Sequence, residues 1–168
     1  MVMDKQDSNL EYYKWLPLNL IKKDDQIDTA LFQLDNYDGT LLLPLKLGNA
    51  EKMQVGDAVY FIGFPYAAQL MNEGYGITLI VNQGIISSVK RNGINPDHPL
   101  DWFIIDAISN PGNSGCPLIN SVTNEVVGQM ISSFRTPSRK YQDLEIREPM
   151  HIAGAKPINL AKNFLKKL

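Results

Sequence analysis

The sequence is poor in cysteine, in long apolar runs and in histidine, and the first two shortages each exclude a class of protein. Its one cysteine, Cys116, cannot form an internal disulfide, so the fold must be stable without the bridges of small secreted domains. No apolar run reaches the length of a membrane span, and the first residues lack the apolar core of a signal peptide. We therefore expect a soluble, cytoplasmic protein that does not bind a membrane.

Charge of either sign is not in excess. The 168 residues include 16 Lys and Arg against 18 Asp and Glu, which gives a formal net charge of -2. These residues are scattered along the chain and form no basic patch, so nucleic acid is not an expected partner. No cluster of side chains has the spacing of metal ligands and no phosphate-binding loop occurs, so no metal and no cofactor are predicted.

What the chain does contain is a series of short apolar runs separated by turn residues, which predicts a mainly β protein. The predicted strands are Tyr12 to Ile21, Thr29 to Leu34, Ala58 to Phe64, Ile77 to Val89, Trp102 to Asp106, Cys116 to Ile119, Val126 to Phe134 and Met150 to Ala155. Only the last dozen residues indicate a helix, with Pro157 at its first position and apolar residues at helical spacing after it. Short strands with frequent turns favour a barrel or sandwich.

The stretch "NPGNSGCP", residues 110 to 117, sets Ser114 between two glycines. Acyl transfer needs an accessible nucleophilic oxygen and two N–H donors aimed at the developing oxyanion. Gly112 has no side chain to shield its N–H, and Pro111 stiffens the approach to it. Gly112 and Ser114 are therefore candidate donors. Taken alone, the tetrapeptide Gly-Asn-Ser-Gly is better explained as an ordinary hairpin turn, and this alternative is favoured until its flanks are considered.

The residues on either side of this segment, and further segments of the chain, match the sequence patterns of one protein family. "DAISNPGNSGCPLIN" is similar to the pattern D-A-x-x-N-x-G-N-S-G-G-P-L, "IDTALFQLD" to D-I-A-L-L-x-I, and "VNQGIISSVKR" to V-T-x-G-I-V-S-A-x-x-R. "LPLKLGNAEKMQVGDAVYFIGFPY" and "IAGAKPINLAKNFLKKL" resemble the connector and the closing strand and helix of the same family. These segments follow one another in order from about residue 27. On them, the chain resembles the trypsin-like serine peptidases, in their bacterial HtrA/DegP branch.

The resemblance implies an all-β fold, the chymotrypsin-like double β-barrel, with an apparent N-terminal truncation. Residues 1–45 would be the last strands of an incomplete first barrel, residues 46–156 a complete second barrel that carries the nucleophile, and residues 157–168 a short C-terminal helix. The segment from Asn36 to Gln54 would cross between the two barrels.

The resemblance also implies site residues. Ser114 would be the nucleophile, the N–H groups of Gly112 and Ser114 the oxyanion hole, and Asp28 the acid that orients the base. Without the motif, Asp28 would be a solvated turn residue. A further set would contact the substrate: Ile108 at the base of the S1 pocket, favouring small or aliphatic P1 residues, and the strand Ile131, Ser132 and Ser133, which would pair with an extended polypeptide substrate.

Two residues depart from the pattern. Cys116 stands where the family has a second glycine, and we expect it to be a small buried hydrophobe rather than a nucleophile. Asn113 replaces the aspartate that pairs with a newly cut N-terminus in digestive members, so activation of that kind is not implied.

The general base is missing from its expected place. The family order is His, Asp, Ser, yet none of the 27 residues before Asp28 is a histidine. His98 lies in a turn-rich loop and His151 beside the closing strand, and both are expected at the surface. Three hypotheses follow: a serine endopeptidase whose catalytic histidine lies upstream of this chain, a non-catalytic peptide-binding or structural module, or a peptidase in which another subunit completes the barrel and supplies the histidine. The sequence sets no oligomeric state.

Overall fold

The computed structural model describes residues 2–7, 10–14, 17–35, 43–93, 100–135, 139–141, 144–146 and 149–166. Over these ranges most residues lie in antiparallel strands. The chain divides into two compact units, Met1–Pro44 and Leu45–Leu168, and each is described by itself.

In the first unit, the described residues form two β-hairpins. Their strands are β1 (Val2–Asp7) and β2 (Leu10–Lys14), then β3 (Leu18–Asp24) and β4 (Thr29–Leu34). The single strand predicted from Tyr12 to Ile21 is therefore two strands. Pro17 lies between them, and a proline has no N–H to donate to a sheet, so it interrupts an apolar run that otherwise reads as continuous.

The β3–β4 hairpin turns at Asp24 to Asp28. The Asp24 carboxylate accepts hydrogen bonds from the N–H groups of Gln26 and Ile27, at 2.9 and 3.3 Å. This local bonding replaces the ladder at the turn. Leu20 and Phe32 are directly opposite each other and about half exposed, whereas Ile27 is buried.

The second unit contains a closed six-stranded barrel with the order β12-β7-β6-β5-β8-β9. Its strands are β5 (Ala58–Gly63), β6 (Ile80–Lys90), β7 (Trp102–Asp106), β8 (Pro117–Asn120), β9 (Val126–Arg135) and β12 (Pro149–Pro157). Between β9 and β12 the chain forms a separate hairpin of β10 (Arg139–Tyr141) and β11 (Leu144–Ile146).

Alternate residues of the barrel strands point inward and form the core. Fully buried side chains include Phe61, Ile86, Phe103, Ile105 and Leu118. Burial of each stabilises the fold by roughly 1.5 to 3 kcal/mol before conformational entropy is subtracted.

A buried cation lies at the barrel wall. The side chain of Lys156 is 6% exposed, and its Nζ lies 4.2 Å from the centre of the Trp102 ring, which is itself buried. A cation over the face of an indole is attracted by the ring quadrupole, so the pair offsets part of the cost of burying the ammonium.

Among the residues that the structure describes, two α-helices accompany the barrel, α1 (Ala67–Asn72) and α2 (Ile158–Leu165), with a 3-10 turn at Ala50–Lys52. Helix α2 follows Pro157 and buries Ile158 and Phe164, as its apolar spacing predicts. Helix α1 is absent from the prediction because it has six residues and buries none of them, so it has no apolar stripe to detect.

The closed barrel and the C-terminal helix confirm the predicted fold class: an all-β, chymotrypsin-like fold with a complete second barrel. No helix within the described ranges is both long enough and apolar enough to span a membrane.

Candidate active site

Ser114 lies in the connection from β7 to β8, which is built from two consecutive turns. In the first turn the Asn113 N–H donates to the Asn110 carbonyl at 3.0 Å. Pro111 takes the second position and Gly112 the third, with φ +102°. This is the pattern of a type II turn, in which proline fits the second position and the third needs a positive φ.

The second turn begins where the first ends. The Cys116 N–H donates to the Asn113 carbonyl at 3.1 Å, and Gly115 takes the third position with φ +84°. Ser114 is its second residue and is exposed. Local sequence thus places the serine at the tip of a turn, away from the barrel core.

Backbone hydrogen bonds fix this double turn on both sides. Toward β9, the Gly115 N–H donates to the Met130 carbonyl at 2.7 Å, and the Met130 N–H donates to the Cys116 carbonyl at 2.9 Å. On the other side, the Tyr66 N–H donates to the Pro111 carbonyl at 3.0 Å. Because C=O and N–H of one peptide point in opposite directions, the Tyr66 bond orients the N–H of Gly112.

Close packing also requires glycine at position 112. A Cβ there would lie 2.5 Å from the Phe64 carbonyl oxygen and 3.0 Å from Pro65 Cα. Neither neighbour is the end of a flexible side chain, so any larger residue would displace the turn.

The two candidate oxyanion donors are uncommitted. Within the described part of the chain, neither the Gly112 N–H nor the Ser114 N–H donates a hydrogen bond. Both residues are exposed, so these donors are open to solvent or to a ligand. Two free N–H groups beside a serine hydroxyl are what stabilisation of an oxyanion requires.

The Ser114 hydroxyl donates to the carbonyl of Ile131 at 3.2 Å. Ile131 lies at an irregularity in the β9–β12 ladder, where Ser132 pairs with Gly154 but Met130 pairs with Ala155. The extra residue leaves Ile131 outside the regular pairing, as in a β-bulge. Its carbonyl is thus free to face the serine.

The predicted substrate contacts lie on the elements around Ser114. Ile108 follows β7 on the approach to the first turn and is 38% exposed. Ser132 and Ser133 belong to β9, where they pair with Gly154 and Ala153 of β12. That these residues contact a substrate stays a prediction.

Asp28 occupies the last position of the β3–β4 turn in the first unit. It is exposed and has φ +52°, a conformation that aspartate tolerates better than most residues. Its predicted role beside the base stays a prediction. His151 is exposed on β12, and His98 lies outside the described residues.

The two departures from the family pattern lie in the double turn. Cys116 is half-buried, and removal of its thiol from water raises the pKa of that group. Asn113 is fully buried. The polar side chain of Asn113 is therefore buried, although the serine that follows it is exposed.

Sequence reasoning did not find one residue that supports the first turn, Tyr66. The Tyr66 hydroxyl donates to Asn110 Oδ1 at 3.2 Å, in addition to the backbone bond from Tyr66 to Pro111. Tyr66 is 44 positions from Asn110 in the chain, and no local pattern signals such a contact.

This geometry can be compared with known proteins. The family model described as a trypsin-like peptidase domain matches residues 4–128, which is more than half of the chain. The chain belongs to the trypsin-like serine peptidase family.

Within this family, the relatives place the peptidase chain in the HtrA branch. It is 35% identical over 150 residues to a serine endoprotease DegS of Escherichia coli (strain K12), covering 89% of this chain and 37% of that protein. It is also 38% identical over 109 residues to a probable serine protease do-like of Buchnera aphidicola subsp. Acyrthosiphon pisum (strain APS), covering 65% of this chain and 20% of the relative.

A solved structure that resembles this chain belongs to the same HtrA branch. The HtrA-type protease AlgW with a decapeptide superimposes with a TM-score of 0.64 at 26% identity, covering 89% of this peptidase chain and 39% of that one. The chain therefore spans between about a fifth and two-fifths of the length of these relatives and solved proteins.

The cytoplasmic location expected from the sequence is wrong. A relative from Pseudomonas putida (strain W619), 35% identical over 138 residues, is named a probable periplasmic serine endoprotease DegP-like, and covers 82% of this peptidase chain. Several other relatives carry the same name. These names point to the periplasm.

Proposed function

We propose that this chain carries the nucleophile of a serine endopeptidase. Ser114 Oγ would attack the carbonyl carbon of a peptide bond, and collapse of the tetrahedral intermediate would expel the amine and leave an acyl-enzyme that water hydrolyses. The observation that carries this proposal is the position of Ser114: an exposed hydroxyl on a fixed turn, with the uncommitted N–H groups of Gly112 and Ser114 beside it.

The hydrogen bond from Ser114 Oγ to the Ile131 carbonyl supports the same role. A hydroxyl that donates to a carbonyl must give up this bond to pass its proton to a base. An extended substrate would compete for the same carbonyl with its own N–H, so substrate binding would release the hydroxyl for attack.

The base itself would be a histidine that this chain does not contribute in the family order. Asp28 would hold that histidine in the tautomer that accepts the serine proton. His151 and His98 both follow Asp28 in the sequence and do not match that order. We therefore propose that the 168 residues alone are a poor catalyst and that activity belongs to the natural protein that contains the base.

The substrate would be a polypeptide bound as an extended strand along β9. The Ile131 carbonyl and the backbone of Ser132 and Ser133 would supply the hydrogen bonds. A polypeptide substrate and a periplasmic location are supported by relatives named probable periplasmic serine endoproteases and by the solved HtrA-type protease AlgW with a decapeptide.

Ile108 would set the preference at P1. Its exposed apolar side chain cannot pair with a basic residue, so small and aliphatic P1 residues are expected to be preferred. The variant Ile108→Asp should shift cleavage toward Lys and Arg at P1, measured by mass spectrometry of the products from an unfolded protein substrate. Unchanged cleavage sites would remove Ile108 from the S1 pocket.

The test of the nucleophile uses the natural protein purified from its source, with the variant Ser114→Ala made in the chromosomal gene. The wild type should hydrolyse an unfolded protein and react with a fluorophosphonate at Ser114, located by mass spectrometry of peptides. The variant should lose both, with a rate loss of about 10³-fold or more. Ser121→Ala, in the β8–β9 turn, is the matched control.

Proteolysis that persists in Ser114→Ala would overturn the proposal. Loss of activity in both Ser114→Ala and Ser121→Ala would attribute the effect to folding instead.

The absence of a histidine before Asp28 favours a second candidate, a non-catalytic peptide-binding module that uses the β9 backbone. It predicts saturable binding of an extended peptide with no cleavage and no fluorophosphonate reaction in the natural protein. Stoichiometric labelling of Ser114 excludes it.

A further inference from the structure

Strand β5 meets the double turn at Gly63, its last residue. A methyl carbon added to Gly63 would overlap the Cys116 Sγ and would lie 2.6 Å from Asn113 Oδ1. Non-bonded heavy atoms do not approach so closely in protein interiors. The side chains of Asn113 and Cys116 thus occupy the space that any other residue at position 63 would need.

These two side chains flank Ser114 within the second turn. Asn113 precedes the serine and is fully buried, yet neither its Oδ1 nor its Nδ2 has a hydrogen-bond partner among the described residues. The bare backbone of Gly63 is one wall of the space that this side chain occupies.

Cys116 connects Gly63 to the first turn, which contains Gly112. Its Sγ reaches from Gly63 to within 4.0 Å of the Gly112 carbonyl oxygen, the distance of a weak S–H to O contact. Its backbone N–H closes the second turn on Asn113. A methyl group at position 63 would therefore have to displace the Cys116 thiol and the Asn113 amide, both of which belong to the turn that carries Ser114.

We propose that Gly63 is a positioning residue for Ser114, acting through its contacts with Asn113 and Cys116. Its missing side chain lets the double turn settle against β5, with the Cys116 thiol filling the space above it. The catalytic consequence rests on the proposed function, whereas the contact can be tested without it.

The test combines Gly63→Ala with Cys116→Ala, which removes only the Sγ that the new methyl would meet. The readout in the full chain is the backbone amide resonances of Asn113, Ser114 and Gly115 in ¹⁵N-edited NMR spectra. A second readout is the rate of fluorophosphonate labelling in the natural protein. The control is Gly48→Ala, whose methyl would contact Glu125 rather than the turn.

Gly63→Ala should shift these three resonances and slow labelling by about tenfold or more, since small displacements of a reacting group have effects of this size. In the Cys116→Ala background the same substitution should slow labelling by only about threefold, because one of its two clashes is gone. Gly48→Ala should leave the turn resonances near their wild-type positions, and Cys116→Ala alone is the reference for the double variant.

A chemical variant avoids any failure to fold. Methyl methanethiosulfonate transfers a methylthio group to the folded wild type: the Cys116 thiolate attacks the sulfenyl sulfur, a disulfide forms and methanesulfinate leaves. The added atoms should shift the same resonances, and dithiothreitol should restore them by reducing the disulfide.

Three results would overturn the proposal: unchanged turn resonances in Gly63→Ala, an equal loss of labelling with and without the Cys116 thiol, or an equal shift in Gly48→Ala. If the wild-type natural protein does not react with the fluorophosphonate, the proposed function fails. The resonances then still decide whether Gly63 positions the turn.

Discussion

Two features of the Gly112 position exclude even a single methyl group as a side chain. Its φ of +102° is unfavourable for any residue with a side chain, and a Cβ would collide with the Phe64 carbonyl. The tight turn and the exposed N–H that we propose as an oxyanion donor therefore depend on the same absent side chain.

We expect Gly112→Ala to destabilise the fold by about 1 to 3 kcal/mol and to abolish fluorophosphonate labelling of Ser114 in the natural protein. Gly74→Ala is the control, because Gly74 also has a positive φ of +87° but no atom within 4 Å of its added methyl. Denaturant titration and labelling of both variants separate the two effects. Equal labelling in the two variants would contradict a specific role for Gly112.

The thiol of Cys116 offers a second test at this scale. Partial burial raises its pKa, and only the thiolate reacts with iodoacetamide, so the folded chain should react more slowly than the urea-unfolded chain near neutral pH. The reaction should accelerate as the pH rises through the ordinary thiol range, above about pH 8.5. Alkylation rates from mass spectrometry at several pH values check this. A folded chain that reacts as fast as the unfolded one would contradict the burial of Cys116.

Because the pKa of the Cys116 thiol is raised, its contribution to the stability of the fold depends on pH. The neutral thiol is favoured in the folded state, so its contribution to the free energy of unfolding is complete below the unfolded pKa and is lost as the pH rises toward the folded one. Comparison with Cys116→Ala by denaturant titration isolates this dependence.

Among the elements, α2 depends on tertiary packing for its stability. A helix of eight residues is too short to be stable alone in water. Helix α2 contacts β9 and β12 of the barrel, Ile158 is part of the barrel core, and Phe164 is also buried. Burial of its apolar face thus provides the stability that a helix of this length lacks on its own.

Phe164→Ala should lower the free energy of unfolding by about 3 to 5 kcal/mol, the usual cost of removing a buried aromatic ring. Leu165→Ala, one residue later and 37% exposed, should cost about 1 kcal/mol or less. Urea titrations of the two variants provide the comparison. Similar losses would mean that α2 does not dock through Phe164.

The elements also show what local sequence can predict. Strand β7 has its predicted bounds, and the double turn around Ser114 follows from the placement of one proline and two glycines, because these determinants lie within a few residues. The Tyr66 bond to Pro111 and the contact of Gly63 with Cys116 join distant parts of the chain through backbone or missing atoms. No sequence pattern encodes them.

At the scale of the whole molecule, the two units differ in how much they bury. The barrel encloses a continuous core, whereas the β3–β4 hairpin leaves Leu18, Leu20 and Phe32 about half exposed. The linking residues Leu43 and Leu45 are 96% and 54% exposed. The predicted cytoplasmic location was wrong because the composition of a folded domain does not encode the compartment in which the protein works.

Limited proteolysis should therefore cleave first near Leu43 and leave a resistant fragment that begins close to Leu45 and retains α2. Thermolysin, which cuts before apolar residues, is a suitable enzyme, and the intact mass of the products locates the cut. Prior unfolding in urea, which should yield many cuts at once, is the control. A first cut inside the barrel would contradict the division into two units.

The Trp102–Lys156 pair gives the barrel a spectroscopic label of its own. The sequence has two tryptophans, so Trp15→Phe would leave Trp102 as the single indole emitter. Its ring is shielded from water beneath an ammonium group in the barrel wall. Opening of the barrel would separate the charge from the ring and admit solvent, so its emission would report the integrity of this unit alone.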